Sequence, residues 1–147
     1  MSQVKKVLSE FEKGYNCAQA ILAIYGPKLG LDRGLALMVS CPMGGGISRK
    51  GQVCGAVTGA LMVLGLKWGR GVVTDPKKKE DVYKKALEFM DQFEKLHGSL
   101  LCRDLLGCDL STPEGMQQAR QQNAQAVLCV RFVQSAAEIL EAVLKQQ

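Results

Sequence analysis

The sequence predicts an all-α protein, a single-domain bundle of about six to eight helices over residues 1–147. Three observations lead to that expectation. Hydrophobic residues make up 47% of the chain but aromatic ones only 5%, so the core must be filled by Ala, Leu, Val, Ile and Met, a mixture suited to close-packed helices. Apolar residues recur three and four apart, and no segment shows the period-two alternation of a half-buried strand. The length is that of about one domain, enough to bury a core without disulfides or a structural metal.

The elements follow in order. Val4, Val7, Leu8 and Phe11 form the first helical stripe, and Gly14 interrupts it. Asn16 caps a second helix through Ala18, Ile21, Leu22 and Tyr25, which Gly26-Pro27 and Gly30 end. Asp32 caps a third, running to about Cys41, where Pro42 and the triple glycine Gly44-Gly45-Gly46 stop it. A fourth is expected to begin near Gly51 or Gln52 with Cys54 in its first turn. Its apolar run, Val53 to Leu66, is 14 residues, short of the about 20 that span a membrane, and reads as a buried core helix with no membrane insertion. Gly55 and Gly59, beside Ala56 and Ala60, give that helix a thin face for close approach.

Asp75 before Pro76 opens the next helix, since Asp accepts an orphan amide hydrogen bond and Pro tolerates the first helical position. Its inner face is Val82, Ala86, Phe89, Met90, Phe93 and Leu96; on the outer face Glu80 can pair with Lys84 and Asp81 with Lys85. His97, as a solvated basic cap, and Gly98 close it. A short helix follows with Ser99 as cap and Cys102 in its first turn, ending at Gly107. Ser111-Thr112-Pro113-Glu114 carries the capping-box pattern S-x-x-E and opens the last helical region. There Ala126, Val130, Val133, Ala137, Leu140 and Leu144 share one stripe, with Cys129 at its inner edge.

Charge narrows the function classes. The net charge is +5, and Lys77, Lys78 and Lys79 read as a solvated helix start. Four Phe, three Tyr and one Trp do not interleave with a basic stripe, so no nucleic-acid partner is expected. Met1-Ser2-Gln3 leads straight into an amphipathic stretch, which gives no secretory signal and a cytoplasmic expectation. The triple-glycine loop is not G-x-x-x-x-G-K-[ST] and follows no strand, and neither a Ser/His/Asp set nor a carboxylate pair stands out. No enzyme class is assigned.

The cysteines are the informative feature. Six of them, Cys17, Cys41, Cys54, Cys102, Cys108 and Cys129, in a chain with no route to an oxidising compartment point to redox or metal chemistry more than to structural disulfides. Cys17, Cys54 and Cys102 each fall in the first turn of an expected helix, where free amides and the positive helix end stabilise a thiolate or an anionic thiolate-bound cluster. No C-x-x-C occurs, which disfavours thioredoxin-type, zinc-ribbon, ferredoxin and haem-attachment motifs. Cys102 and Cys108, six apart, would lie on opposite faces of one helix and not act together.

Tyr15-Asn16-Cys17-Ala18-Gln19-Ala20, Gly44-Gly45-Gly46, Gly51 and Cys54-Gly55-Ala56-Val57-Thr58-Gly59-Ala60 resemble the C_GCAxxG_C_C family. Cys102-Arg103-Asp104-Leu105-Leu106-Gly107 and Cys129-Val130-Arg131-Phe132-Val133 fit its remaining two cysteines. The family carries a redox label that itself rests largely on those cysteines. The resemblance assigns the pattern to Cys17, Cys54, Cys102 and Cys129 and leaves Cys41 and Cys108 outside it. The same pattern is similar to the iron–sulfur part of split-Soret cytochromes, although this chain has no haem-attachment signature. Three readings stay open. The four cysteines can bind a [2Fe–2S] or [4Fe–4S] cluster for electron transfer or redox sensing. They can run metal-free thiol–disulfide chemistry, with Cys54 or Cys17 as the attacking thiol and a thiol or electron-transfer protein as partner. Or they can hold a structural zinc in a non-redox helical or small-ligand module. The cysteines can converge within one chain or across a homodimer.

Overall fold

A helix that is apolar on every side has to be surrounded, and α4 (Gly55–Trp68) is such a helix. In the computed structural model, which describes residues 1–146, it is the centre around which the others are arranged. The last position of the expected 1–147 domain lies outside the described residues. In chain order the other helices are α1 (Gln3–Glu12), α2 (Cys17–Tyr25), α3 (Arg33–Ser40), α5 (Pro76–His97), α6 (Cys102–Leu106), α7 (Pro113–Gln121) and α8 (Val130–Leu144). Helix α4 packs against α2, α5 and α8, and α1 closes over α2 and α8. Ile21, Leu22, Val57, Val63, Leu64, Phe89, Phe93, Val133 and Leu140 are fully buried between them. At about 1.5–3 kcal/mol for each large apolar side chain, this burial is the main force holding the bundle.

The all-α, single-domain expectation holds. Among the described residues there is no strand, only an isolated antiparallel bridge between Val53 and Leu101. No described helix is long and apolar enough to cross a membrane. Several expected boundaries are also in place. Asn16 caps α2 through a reciprocal box with Gln19, Asp32 caps α3, and Asp75 caps α5 ahead of Pro76. Gly98 takes the left-handed closing turn.

Other local expectations are corrected. Helix α4 begins at Gly55, so Cys54 is its cap residue and not inside its first turn. Leu96 is 61% exposed because His97, four residues after buried Phe93, takes the inward position in the last turn of α5. Lys85 turns to Gln146 and the Trp68 ring instead of Asp81, and Glu80 and Lys84 form no ion pair among the described residues. His97 is no solvated cap: its ring packs on Phe93 and Phe132, and burial lowers its pKa. Leu101, not Ser99, precedes α6, and Thr112, not Ser111, caps α7. A π-type turn at Gln125–Cys129 precedes α8, and its extra residue rotates Ala126 out to solvent.

The α2–α4 contact is close because of glycine. A Cβ on Gly59 would sit 2.9 Å from the Ala18 carbonyl oxygen and 3.0 Å from its Cα. Backbone cannot yield as a side-chain tip can. Gly59→Ala is therefore expected to destabilise by up to about 2 kcal/mol, since an overpacking cost of about 1–3 kcal/mol is set against a helix-propensity gain of about 1. Gly65, on the same helix, is the control, because a Cβ added there would meet nothing within 4 Å. Gly65→Ala should stabilise by about 0.5–1 kcal/mol. Urea unfolding of the two variants measures both signs.

Candidate functional site

The start of α2 is fixed first. The Asn16 side chain accepts the Gln19 amide hydrogen bond at 2.9 Å, while Gln19 Oε1 accepts from the Asn16 N–H at 3.1 Å. This box makes Cys17 the first helical residue. Asn16 Nδ2 also donates to the Cys41 carbonyl at 2.9 Å, which ties the segment after α3 to the same helix start.

That segment then does something the sequence does not announce. From Gly45 through Arg49 every residue has positive φ, including the non-glycines Ile47, Ser48 and Arg49. The hydrogen-bonded turn Gly44–Ile47 is thus largely left-handed, not a continuation of α3. Each non-glycine in this region costs about 1–2 kcal/mol. The turn brings the Gly45 N–H to the Cys17 sulfur and lays Gly46 against Cys102, where a Cβ would come 2.6 Å from the Cys102 Cβ. Gly55 is equally constrained, because a Cβ there would collide with Cys17 Sγ.

Two more devices bring in the remaining cysteines. Across the Val53–Leu101 bridge, the Cys54 N–H donates to the Leu100 carbonyl at 2.8 Å and the Cys102 N–H to the Gln52 carbonyl at 2.7 Å. With the period-two alternation of an extended pair, Cys54 and Cys102 share one face. Cys54 then caps α4 and Cys102 begins α6. Cys129 ends the π-type turn before α8.

The result is one cavity of about 710 Å³ with Cys17, Cys54, Cys102 and Cys129 all in its wall. Cys54 and Cys102 are buried, Cys17 and Cys129 half-buried, and all are free thiols. Cys41, which falls outside the four-cysteine pattern, lies in the same wall and is exposed. Cys108 is buried, and its thiol donates to the Leu106 carbonyl at 3.6 Å. It does not share a helix with Cys102, because Gly107 takes a left-handed turn after α6 and folds the chain back. Among the described residues, no three His, Cys, Asp or Glu side chains are grouped as one metal ion would require.

Electrostatics distinguish the thiols. Cys17 is lowered to about 7, chiefly by the hydrogen bond from the Cys54 thiol, with the Ala18, Cys17 and Gly45 amides adding to it against burial. Cys54 is raised, because it keeps the proton it shares with Cys17 and because it is buried. Burial, and then the charge on Cys17, push Cys102 and Cys129 up to about 12. Within this buried pair the direction favours charge on Cys17 and the proton on Cys54. Sequence reasoning missed the place of Cys41 and of Arg120 in the wall; Arg49 stands out in the sequence only as a basic neighbour of the triple-glycine loop. The triple glycine was the one available signal that the loop approaches the cysteines.

A family model described as "Putative redox-active protein (C_GCAxxG_C_C)" matches residues 15–143. No curated protein and no solved structure matches the chain.

In reduced, metal-free protein, alkylation of Cys17 by iodoacetamide should rise with pH around a midpoint of about 7, because only the thiolate reacts. Cys54→Ala removes the main donor, so the midpoint should move up toward the ordinary thiol value. Peptide mapping of the alkylated cysteine against pH reads both curves.

Proposed function

The chain belongs to the C_GCAxxG_C_C family, and on that premise we propose that its redox function rests on an iron–sulfur cluster ligated by Cys17, Cys54, Cys102 and Cys129. The observation that supports this reading is that four cysteines far apart in the sequence line a single cavity. The donor set suits the group. Thiolates are the usual cluster ligands, and the Gly45 and Ala18 amides aimed at Cys17 are the hydrogen bonds that stabilise charge on a ligating sulfur. The four thiols also cannot all ionise alone, since the charge of Cys17 opposes ionisation of Cys54, Cys102 and Cys129. Cationic iron removes that conflict. A bound cluster would supply one-electron transfer.

In this reading the protein's own residues fix the ligands and screen them. The α2 cap holds Cys17, the Val53–Leu101 bridge holds Cys54 and Cys102 on one face, and Leu105, Leu106 and Phe132 add apolar wall around the sulfurs. The partner is a protein that exchanges electrons with the cavity.

A second reading is favoured by the linked ionisation of Cys17 and Cys54 in one wall, which lowers the first thiol and raises the second. The Cys17 thiolate attacks a disulfide or peroxide and expels the leaving thiolate or hydroxide. The Cys54 sulfur then attacks the Cys17 sulfur and breaks its bond to the second substrate thiol or to the sulfenic oxygen, which leaves with the Cys54 proton as thiol or water; the pair ends as a disulfide and the substrate gains two electrons.

Full-length protein prepared without oxygen and reconstituted with iron and sulfide should acquire both, with visible absorbance that bleaches on dithionite. Single serine variants at Cys17, Cys54, Cys102 or Cys129 should lose most of it, and Cys108→Ser should not. Protein that never takes up iron would sink the cluster reading. The dithiol reading would then require a reversible two-electron couple that Cys17→Ser and Cys54→Ser abolish and Cys102→Ser retains.

A further inference from the structure

The cavity is larger and more varied than four cysteines need. Its volume of about 710 Å³ falls in the range of about 300–1,000 Å³ typical of small-molecule sites. Buried Cys54 and Cys102 belong to its floor, whereas exposed Arg49, Arg120 and Asn123 belong to its rim. The charged residues in the wall are Arg49, from the left-handed turn, and Arg120, from α7; no Asp or Glu is among the lining residues. Neither guanidinium is in an ion pair among the described residues. Leu110 and Met116 contribute apolar wall from the segments flanking the start of α7.

Backbone strain collects at the same rim. Of the four non-glycine residues with positive φ among those described, Ile47, Ser48, Arg49 and Asn123, three line the cavity: Ser48, Arg49 and Asn123. Such residues are disfavoured in isolation and persist where the surrounding structure over-determines them, most often at functional sites.

We propose that the outer part of this cavity binds a small organic anion, a carboxylate or phosphate ester with an apolar body, whose charge is met by Arg49 and Arg120 and whose body lies on Leu110 and Met116. Arginine suits the task, because its planar fork presents paired donors to an oxyanion and keeps its charge at any working pH. A wall with two cations and no carboxylate repels cations and draws anions in. The Cys17 thiolate lies in the same wall, so the inference rests on the metal-free dithiol form, in which Arg49 and Arg120 outnumber that one negative charge.

The test is calorimetric titration of the full-length, metal-free protein with acetate, butyrate and hexanoate at constant ionic strength, in wild type, Arg120→Met and Arg49→Met/Arg120→Met. Methionine keeps most of the side-chain length, and Arg120→Met alone, on the exposed face of α7, serves if the double variant does not fold. The expected result is saturable binding that tightens at least tenfold from acetate to hexanoate and weakens at least tenfold in the arginine variants. Hexanoate should also slow alkylation of Cys41, the exposed thiol of the same wall. Absence of saturable binding, equal binding by wild type and Arg120→Met, or acetate binding as tightly as hexanoate would overturn the proposal.

Discussion

Everything at the site depends on how closely α2 approaches α4. The two helices meet backbone to backbone at Ala18 and Gly59, and one turn earlier Gly55 leaves the space that Cys17 Sγ takes up. Without those missing Cβ atoms the helices would stand farther apart and Cys17 would lose the proton donor at Cys54. The C-G-A-x-x-G-A sequence from Cys54 to Ala60 is therefore a packing motif and a chemical one at once. Its glycines set a distance, and that distance sets an ionisation state.

The second constraint is crowding of like groups. Cys17, Cys54, Cys102 and Cys129 share one cavity, yet only Cys17 is held near neutrality. Amides at the start of α2 and from the left-handed turn converge on it, and the Cys54 proton does the rest. The other three sulfurs stay protonated as a result. A surplus of buried thiols around one anionic sulfur is stable only while protons or a cation balance it. The cavity thus prefers a bound positive centre or a dithiol with one charge over four free thiolates.

Much of the frame is legible in the sequence because caps and breakers act locally. Asn16, Asp32 and Asp75-Pro76 announce their helices, and all three cap as expected. The four cysteines are singled out by the family resemblance, spacing having only removed the familiar motifs. What cannot be read is what depends on distant partners. The left-handed turn needs Cys17 and Cys102 beside it, and the Val53–Leu101 bridge joins segments that show no strand pattern. His97 looks like a wet cap until Phe132, from α8, packs on its ring. Cys108 looks like a helical neighbour of Cys102 until Gly107 reverses the chain. In each case tertiary contact overrides a local preference.

The handedness of the Gly45–Arg49 turn also bears on the order in which the molecule is built. A right-handed helix can flicker into existence in an unfolded chain, but a left-handed turn containing Ile, Ser and Arg has no such local preference. It has to wait for α2 to supply Asn16 and Cys17, and for the strand-like contact with residues 100–103 to supply the hydrogen bonds that hold Gln52 and Cys54. Cys129 joins later still along the chain. The last of the four sulfurs thus follows α1 to α7 in the chain, so the wall of the cavity is incomplete until nearly all of the described chain is present.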